Sequence, residues 1–198
     1  QRRRTTAPAA ARVMTGTTSA VPPGWQVNPS AWSQRLPIVV LALFGAAAAG
    51  WLALYQQEVT DRVLEPFFGD GTRAIVRESG FSQSFERFPI GDAALGALGY
   101  LADAVSGVIG GTDRWRTMPW IVIVFGVFIG PFGAVSVMLT IFQPVLYDNF
   151  CTLCLASGAI SLAMIGPALD EILASLQHLR RQRAAGRSTW RALWGVAT

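Results

Sequence analysis

The only two cysteines of this chain lie three residues apart, in the stretch "CTLC" from Cys151 to Cys154. If Cys151 opens a helix, Cys154 follows one turn later on the same face. The two Cα atoms then lie within the ~4.4–6.8 Å that a disulfide spans. A helix N-terminus also favours the thiolate, which is the reactive form of cysteine. The pair is therefore suited to switch between dithiol and disulfide, with a pair of small core residues as the alternative.

Other kinds of chemistry lack the residues that they need. Structural zinc takes four Cys and His ligands, and catalytic zinc usually takes three protein ligands. The chain offers only the two cysteines and one histidine, His178. A Ser-His-Asp arrangement would have to use the same histidine, which lies next to an arginine-rich tail. The sequence shows no phosphate-binding loop and no glycine-rich dinucleotide motif. The redox dithiol and the core pair stay open.

The composition predicts a membrane protein. Charged residues make up 14% of the chain and hydrophobic residues 52%, whereas about 25% of the residues of a soluble domain are charged. The net charge of +4 comes from arginines that lie outside the apolar runs. Their placement favours membrane topology over nucleic-acid binding as the reason for the basic character.

Four apolar segments predict an all-α membrane protein, a four-transmembrane-helix bundle with a partly helical outward loop between helices 1 and 2. The segments are 36–55, 93–109, 120–142 and 151–169. The second is the weakest, and its Asp103 is expected to face the bundle interior, because a charge facing lipid is costly. Residues 1–33 are expected to form a disordered cytoplasmic tail, 34–170 the transmembrane domain, and 171–198 an amphipathic, basic cytoplasmic helix.

The arginines orient the predicted bundle. Twelve lie before segment one, between segments two and three, or after segment four, and four lie in the 57–91 loop. Because the larger set is expected in the cytoplasm, both termini are predicted there and the loop faces outward. CTLC then lies at the outer mouth of segment four, on the side where disulfides persist. At that depth the natural two-electron acceptor is a membrane quinone.

With this layout the sequence resembles the vitamin K epoxide reductase family over residues 36–170. The loop stretch "ESGFSQSFERFPIGDAALGALGY", the turn "RWRTMPW" and the motif "CTLCLASGAIS" carry the resemblance. It implies a multi-pass protein of the bacterial inner (plasma) membrane. Such a protein is a thiol:quinone oxidoreductase that passes electrons from partner thiols to menaquinone or ubiquinone and supports disulfide formation.

The resemblance also implies roles for individual residues. Cys154 would face the quinone, and Cys151 would exchange with another thiol. Aromatic residues of the loop and the following turn would cap the quinone pocket, or would anchor the protein at the membrane interface. These residues are Phe67, Phe68, Phe81, Phe85 and Tyr147.

The chain departs from the family pattern in its first outward loop. Typical members carry a second cysteine pair there, whereas residues 57–91 contain no cysteine. We therefore expect a bacterial-type member without the loop pair and without a fused thioredoxin-like domain. A separate thioredoxin-like or other thiol protein on the outer face would attack Cys151 directly or lend the shuttle cysteines. The alternative is a non-catalytic membrane scaffold or assembly subunit, whose arginine-rich ends contact anionic lipid or a partner.

Overall fold

The computed structural model describes residues 21–78 and 91–196, and within these ranges the chain forms helices and no strands. In chain order the helices are α1 (Trp32–Gln56), α2 (Gly71–Val76), α3 (Asp92–Val108), α4 (Arg114–Thr117), α5 (Pro119–Leu146), α6 (Thr152–Ala184) and α7 (Thr189–Leu193). The predicted all-α class is thus confirmed for the part of the chain that the structure describes.

Three helices, α1, α5 and α6, are long and apolar enough to cross a membrane by length and composition. Many of their large apolar side chains are exposed, including Phe44 on α1 and Phe128 on α5, as expected for surfaces that face lipid. Helix α3 has 17 residues and rises about 25 Å at 1.5 Å per residue. A hydrocarbon core is about 30 Å thick, so a crossing by the predicted second segment stays a prediction.

The helices extend or shift the predicted segments. Helix α6 does not end near residue 169 but continues to Ala184, because a buried stripe that includes Ala174, Ser175 and Leu179 prolongs its packed face. Most of the expected C-terminal helix at 171–198 is therefore the end of α6, followed by the short α7. Residues 21–31, assigned to the tail from the sequence, form hydrogen-bonded turns before α1.

Helices α1 and α3 pack closely because small residues let their backbones approach. A Cβ placed on Gly45 of α1 would lie 2.6 Å from Cε1 of Tyr100 on α3, so the tyrosine ring occupies the space of a side chain. The surrounding core also takes in Ala42, Ala49 and, from α6, Met164. This cluster fixes the depth of Tyr100 in the bundle.

A buried arginine donates hydrogen bonds to the backbone carbonyl groups at the C-terminal end of α3. Arg35 of α1 is 1% exposed, and its guanidinium donates hydrogen bonds to the carbonyl oxygens of Gly107, Ile109 and Gly110 at 2.5–2.9 Å. The last carbonyls of a helix have no partner within the helix itself. Arg35 therefore joins the beginning of α1 to the end of α3.

A second buried arginine joins α4 to α6. The Nε of Arg114 donates to Glu171 Oε1 at 2.6 Å, and its Nη2 donates to the other carboxylate oxygen. Both side chains are nearly fully buried, with 3% and 4% exposure. Ser30, from the turn before α1, also donates to Glu171. Ser30 itself is fully buried, so this part of the predicted tail is built into the fold.

Replacing Arg114 by alanine is expected to lower the free energy of unfolding by about 3–5 kcal/mol, because it leaves Glu171 buried without its counter-ion. The control is Arg73→Ala, which breaks the ion pair between Arg73 and Glu78. These two side chains are 64% and 58% exposed, respectively. An exposed pair contributes ~0–1 kcal/mol. Denaturant unfolding in detergent measures both variants, and equal losses would contradict the assignment of Arg114–Glu171 as a structural ion pair.

Candidate redox site

Cys151 and Cys154 form a disulfide at the first turn of α6, with their Cα atoms 5.2 Å apart. Cys151 is the N-cap residue, and its sulfur accepts a hydrogen bond from the backbone N–H of Cys154 at 3.1 Å. The backbone N–H groups at a helix start have no partner within the helix. The sulfur of the redox motif thus takes the place that a capping oxygen usually fills.

The two sulfurs lie in different surroundings. Cys151 is 0% exposed and packs with Leu52 and Tyr55 of α1 and Val76 of α2. Cys154 instead contributes to the wall of a cavity between the helices. One end of the disulfide is therefore covered by protein, and the other faces an internal space.

Residues 65–76, which we call the cover segment, lie over Cys151. The segment includes α2, whose first residue, Gly71, touches the backbone directly before the motif. A Cβ on Gly71 would lie 1.9 Å from the carbonyl oxygen of Phe150, so only glycine permits this approach. Thr72 is fully buried. The predicted partly helical loop contains a helix at Gly71–Val76, and residues 79–90 of this loop lie outside the described residues.

Glu65 fastens the cover segment to α6. One carboxylate oxygen accepts a hydrogen bond from the backbone N–H of Thr152 at 2.9 Å, and the hydroxyls of Thr152 and Thr72 also donate to the carboxylate. Burial by itself raises the pKa of Glu65, but the hydrogen bonds from Thr152, Thr72 and Phe68 outweigh it and hold the pKa below its ordinary value of 4.5. Glu65 is therefore ionised at neutral pH.

Gln143, near the end of α5, holds the motif from the opposite side. Its Oε1 accepts a hydrogen bond from the backbone N–H of Cys151 at 3.0 Å. The side chain is nearly fully buried and also lines the cavity. Gln143 thus connects the position of Cys151 to the cavity wall.

The cavity that Cys154 faces has a volume of about 370 Å³, within the range of small-molecule sites. Its walls come from α1, α2, α3, α5 and α6, and most of them are apolar. A few polar side chains interrupt this lining, among them Asp92, Tyr100, Ser136, Thr140, Gln143 and Tyr147. An apolar space with few polar groups suits a flat, lipid-soluble ligand that carries oxygen atoms.

Hydroxyl groups cluster at the part of the cavity formed by Tyr100. The Tyr100 hydroxyl lies 2.6 Å from the carbonyl oxygen of Ser157, to which it donates, and 2.7 Å from Ser161 Oγ. Ser161 Oγ in turn lies 3.3 Å from Ser136 Oγ. A smaller cavity of about 50 Å³ adjoins this cluster and is lined by Asp103, so this carboxyl faces a space inside the bundle.

The aromatic residues predicted at the quinone site do not come together. Tyr147 lines the cavity. Phe67 is 75% exposed, and Phe68 packs on Phe150 with ring centroids 5.2 Å apart; neither contributes to the cavity wall. Phe81 and Phe85 lie outside the described residues. A role for these phenylalanines in ligand binding stays a prediction.

A sequence model of the vitamin K epoxide reductase family matches residues 36–169, more than half of the chain. The chain belongs to the vitamin K epoxide reductase family. Searches among curated proteins and among solved structures found no match. The family consists of membrane thiol–disulfide oxidoreductases that in general use quinones as electron acceptors. Together with the three apolar helices, this membership indicates a membrane protein.

Sequence reasoning missed several side chains of this family member's redox site, notably Glu65, Tyr100 and Gln143. Two of them could have been found from the sequence, because a polar group in or beside an apolar helix needs a hydrogen-bond partner. Tyr100 lies within the second predicted segment, and Gln143 directly follows the third. Glu65 could not have been found in this way, because its contact with Thr152 joins positions 87 residues apart in sequence.

The pH dependence of stability tests the role of Glu65. Because its folded pKa lies below 4.5, the carboxylate stabilises the fold fully above that pH, and this stabilisation is lost as the pH falls through the lower folded pKa. Glu65→Gln is therefore expected to lower the thermal midpoint at pH 7, by an amount that shrinks below about pH 4. Asp61→Asn, at a side chain 94% exposed, is the control. A deficit of Glu65→Gln that stays constant with pH would contradict the charged hydrogen bonds.

Proposed function

We propose that this protein is a membrane thiol:quinone oxidoreductase that passes electrons from partner thiols, through the Cys151–Cys154 pair, to a membrane quinone and so supports disulfide formation. The observation that carries the proposal is the two-sided placement of the disulfide. Cys154 lines an apolar cavity of about 370 Å³, while Cys151, one turn earlier on the same helix face, is fully buried between α1 and the cover segment. Family membership supports the same class of reaction.

The cavity fits the chemistry of a quinone. A quinone ring is flat and apolar and presents two carbonyl oxygens, and it needs hydrogen-bond donors in an otherwise dry site. Apolar walls from Leu139 and Phe132 accommodate the ring. The hydroxyls of Tyr100, Ser136 and Thr140 donate to protein acceptors in this structure, so a bound quinone would compete with those acceptors for their protons. Menaquinone and ubiquinone share these features, and the cavity favours neither.

The proposed reaction has two balanced halves. A partner thiolate attacks Cys151 Sγ, the bond to Cys154 breaks, and Cys154 leaves as a thiolate. A second partner thiol then releases the partner as a disulfide and leaves Cys151 and Cys154 reduced. In the other half, the dithiol loses two electrons and two protons and its S–S bond forms again, while one quinone becomes a quinol. Cys154, on the cavity side, is the sulfur that delivers the electrons.

The proposed topology places the motif at the outer face of a bacterial plasma membrane and both chain ends in the cytoplasm. The arrangement of contacts supports it. Gln56 and Asp92, bonded at 2.5 Å, join the ends of α1 and α3 nearest the motif. Arg35 joins the opposite ends of the same helices. Arg35, Arg114 and the arginines at the C-terminal end of α6 thus lie at the end away from the disulfide.

Oxidation of the reduced protein by quinone tests the proposal. Purified protein in detergent is reduced, freed of reductant and mixed with a short-chain ubiquinone or with menadione. We expect one disulfide to form for each quinone reduced, measured by maleimide mass tagging and by the quinol absorbance. Cys154→Ala should produce no quinol. Wild-type thiols that stay reduced with both quinones would refute the proposal and favour a non-catalytic membrane scaffold.

Filling the cavity should weaken quinone binding. Gly96 lines the cavity, and a Cβ there would meet nothing closer than Ala49 at 3.8 Å, so Gly96→Leu adds volume without a clash at its first atom. We expect the KM for quinone to rise about tenfold, because leucine displaces the ligand. Gly50→Leu is the matched control on α1, where an added Cβ meets nothing within 4 Å. Equal KM values for the two variants would refute quinone binding in this cavity.

A further inference from the structure

We propose that Glu65 is a positioning residue that clasps the cover segment over Cys151, so that a partner thiol reaches this sulfur only when the clasp opens. The proposal deepens the function proposed above, because that function requires exchange at Cys151. It names the contact that a docking partner must displace. It also identifies the partner as a protein with a thiol, rather than a small thiol from solution.

The first step of the argument is the burial of Cys151. Its exposed fraction is zero, and attack on a disulfide requires the incoming sulfur to reach the sulfur that it bonds. Leu52 and Tyr55 of α1 form one part of the buried cluster around Cys151. The part that a loop movement can open is Val76 of the cover segment, with Val63 and Ile75 packed against the same cluster. Exchange at Cys151 therefore requires these residues to move.

The second step concerns what holds the cover segment against α6. Among the described residues, the polar contacts between residues 65–76 and the redox motif converge on the Glu65 carboxylate. It accepts from both the backbone N–H and the hydroxyl of Thr152, the residue directly after Cys151. It also accepts from the buried hydroxyl of Thr72 within the cover segment. Hydrogen bonds to an ionised acceptor are about twice as strong as neutral ones, so Glu65 supplies the polar part of a contact that otherwise consists of packing.

The third step concerns the other end of the cover segment. Just beyond it, Arg77 donates two hydrogen bonds to the carbonyl oxygen of Tyr55, at 2.8 and 2.6 Å, and one to that of Thr60 at 3.2 Å. Its guanidinium also lies 3.9 Å from the centroid of the Tyr55 ring. These contacts fasten the segment to α1 and not to α6. Release of Glu65 removes the charged hydrogen bonds to α6 and leaves the packing contacts of Val76 and Phe68 at the motif, while the far end stays attached through Arg77.

Such an arrangement selects for the size of the thiol donor. A protein partner gains binding free energy when it docks on the exposed loop, and this energy can offset the loss of the Glu65 contacts. A small thiol has no comparable surface. The exposed aromatic rings of Phe67 and Phe68 lie within the cover segment, at the place where a docking protein would first make contact.

Labelling of Cys151 as the sole thiol tests the clasp. In Cys154→Ala the chain keeps one cysteine, and the rate of its reaction with a polyethylene-glycol maleimide reports how often the cover segment opens. Adding Glu65→Gln should raise this rate about tenfold, because an uncharged amide weakens the contacts to Thr152 and Thr72. Adding Glu58→Gln, which makes the same exchange at an exposed glutamate of the same loop, should change the rate by less than about twofold.

Each outcome decides the proposal. It is overturned if Glu65→Gln and Glu58→Gln label at the same rate, or if Cys154→Ala alone labels as fast as protein unfolded in SDS. If Glu65→Gln aggregates, Thr152→Val replaces it, because this variant keeps the backbone N–H and removes the hydroxyl. It should raise the labelling rate severalfold. An unchanged rate would overturn the proposal. The assay uses no quinone. A protein that labels as expected but fails to reduce quinone would refute the proposed function and leave the clasp intact.

Discussion

The backbone N–H groups at the start of α6 must find hydrogen-bond acceptors, and the way they do so organises the redox site. The N–H of Cys151 uses Gln143 from α5, that of Thr152 uses Glu65 from the loop, and that of Cys154 uses the sulfur of Cys151. Each acceptor comes from a different part of the chain. The first turn of α6 is therefore the point where the bundle, the loop and the disulfide are connected, and it gives each cysteine a different neighbour.

The cavity depends on a second kind of constraint, which is polar bonding inside an apolar bundle. Tyr100 fills the space beside Gly45, and its hydroxyl reaches the carbonyl oxygen of Ser157, one turn after Cys154. A buried tyrosine hydroxyl needs such a partner. The ring and the hydroxyl together fix how deep α3 lies against α1 and α6. The cavity is bordered by α3 and α5 together with α1, α2 and α6, so the position of Tyr100 sets one part of its wall.

Local patterns explain why much of the helical content could be predicted. A run of about twenty apolar residues predicts a membrane-length helix by itself. A cysteine pair at helical spacing likewise predicts two sulfurs within disulfide reach. The ends were less predictable: α6 passes the apolar run at 169 and continues through the buried Glu171, whose charge is compensated by Arg114 on a different helix. Burial of Ser30 has the same cause, since its partner is the distant Glu171. Neither contact can be predicted from the residues that neighbour it in the sequence.

The candidate site shows the same division between local and distant information. Cys151 and Cys154 were evident from their spacing, and the resemblance added the family. Glu65 was not evident, because nothing nearby distinguishes it from Glu58 or Glu78, two other glutamates of the same loop. Phe67 and Phe68 were expected at the pocket because aromatic rings favour both pockets and interfaces. In the structure, Gly71 brings the loop against Phe150, the Phe68 ring packs on Phe150, and the Phe67 ring is exposed.

Arg35 has a consequence for how the protein sits in a bilayer. In the predicted crossing by α3, its length of about 25 Å would leave a hydrophobic mismatch of about 5 Å against a hydrocarbon core of about 30 Å. Lipids usually adjust to a short helix by local thinning. The carbonyl groups at the end of α3 do not need that adjustment, because the guanidinium of Arg35 already solvates them. The protein therefore supplies the hydrogen bonds for the C-terminal end of this short helix itself. Membranes of different thickness can then surround the protein without leaving those carbonyl groups unpaired in lipid.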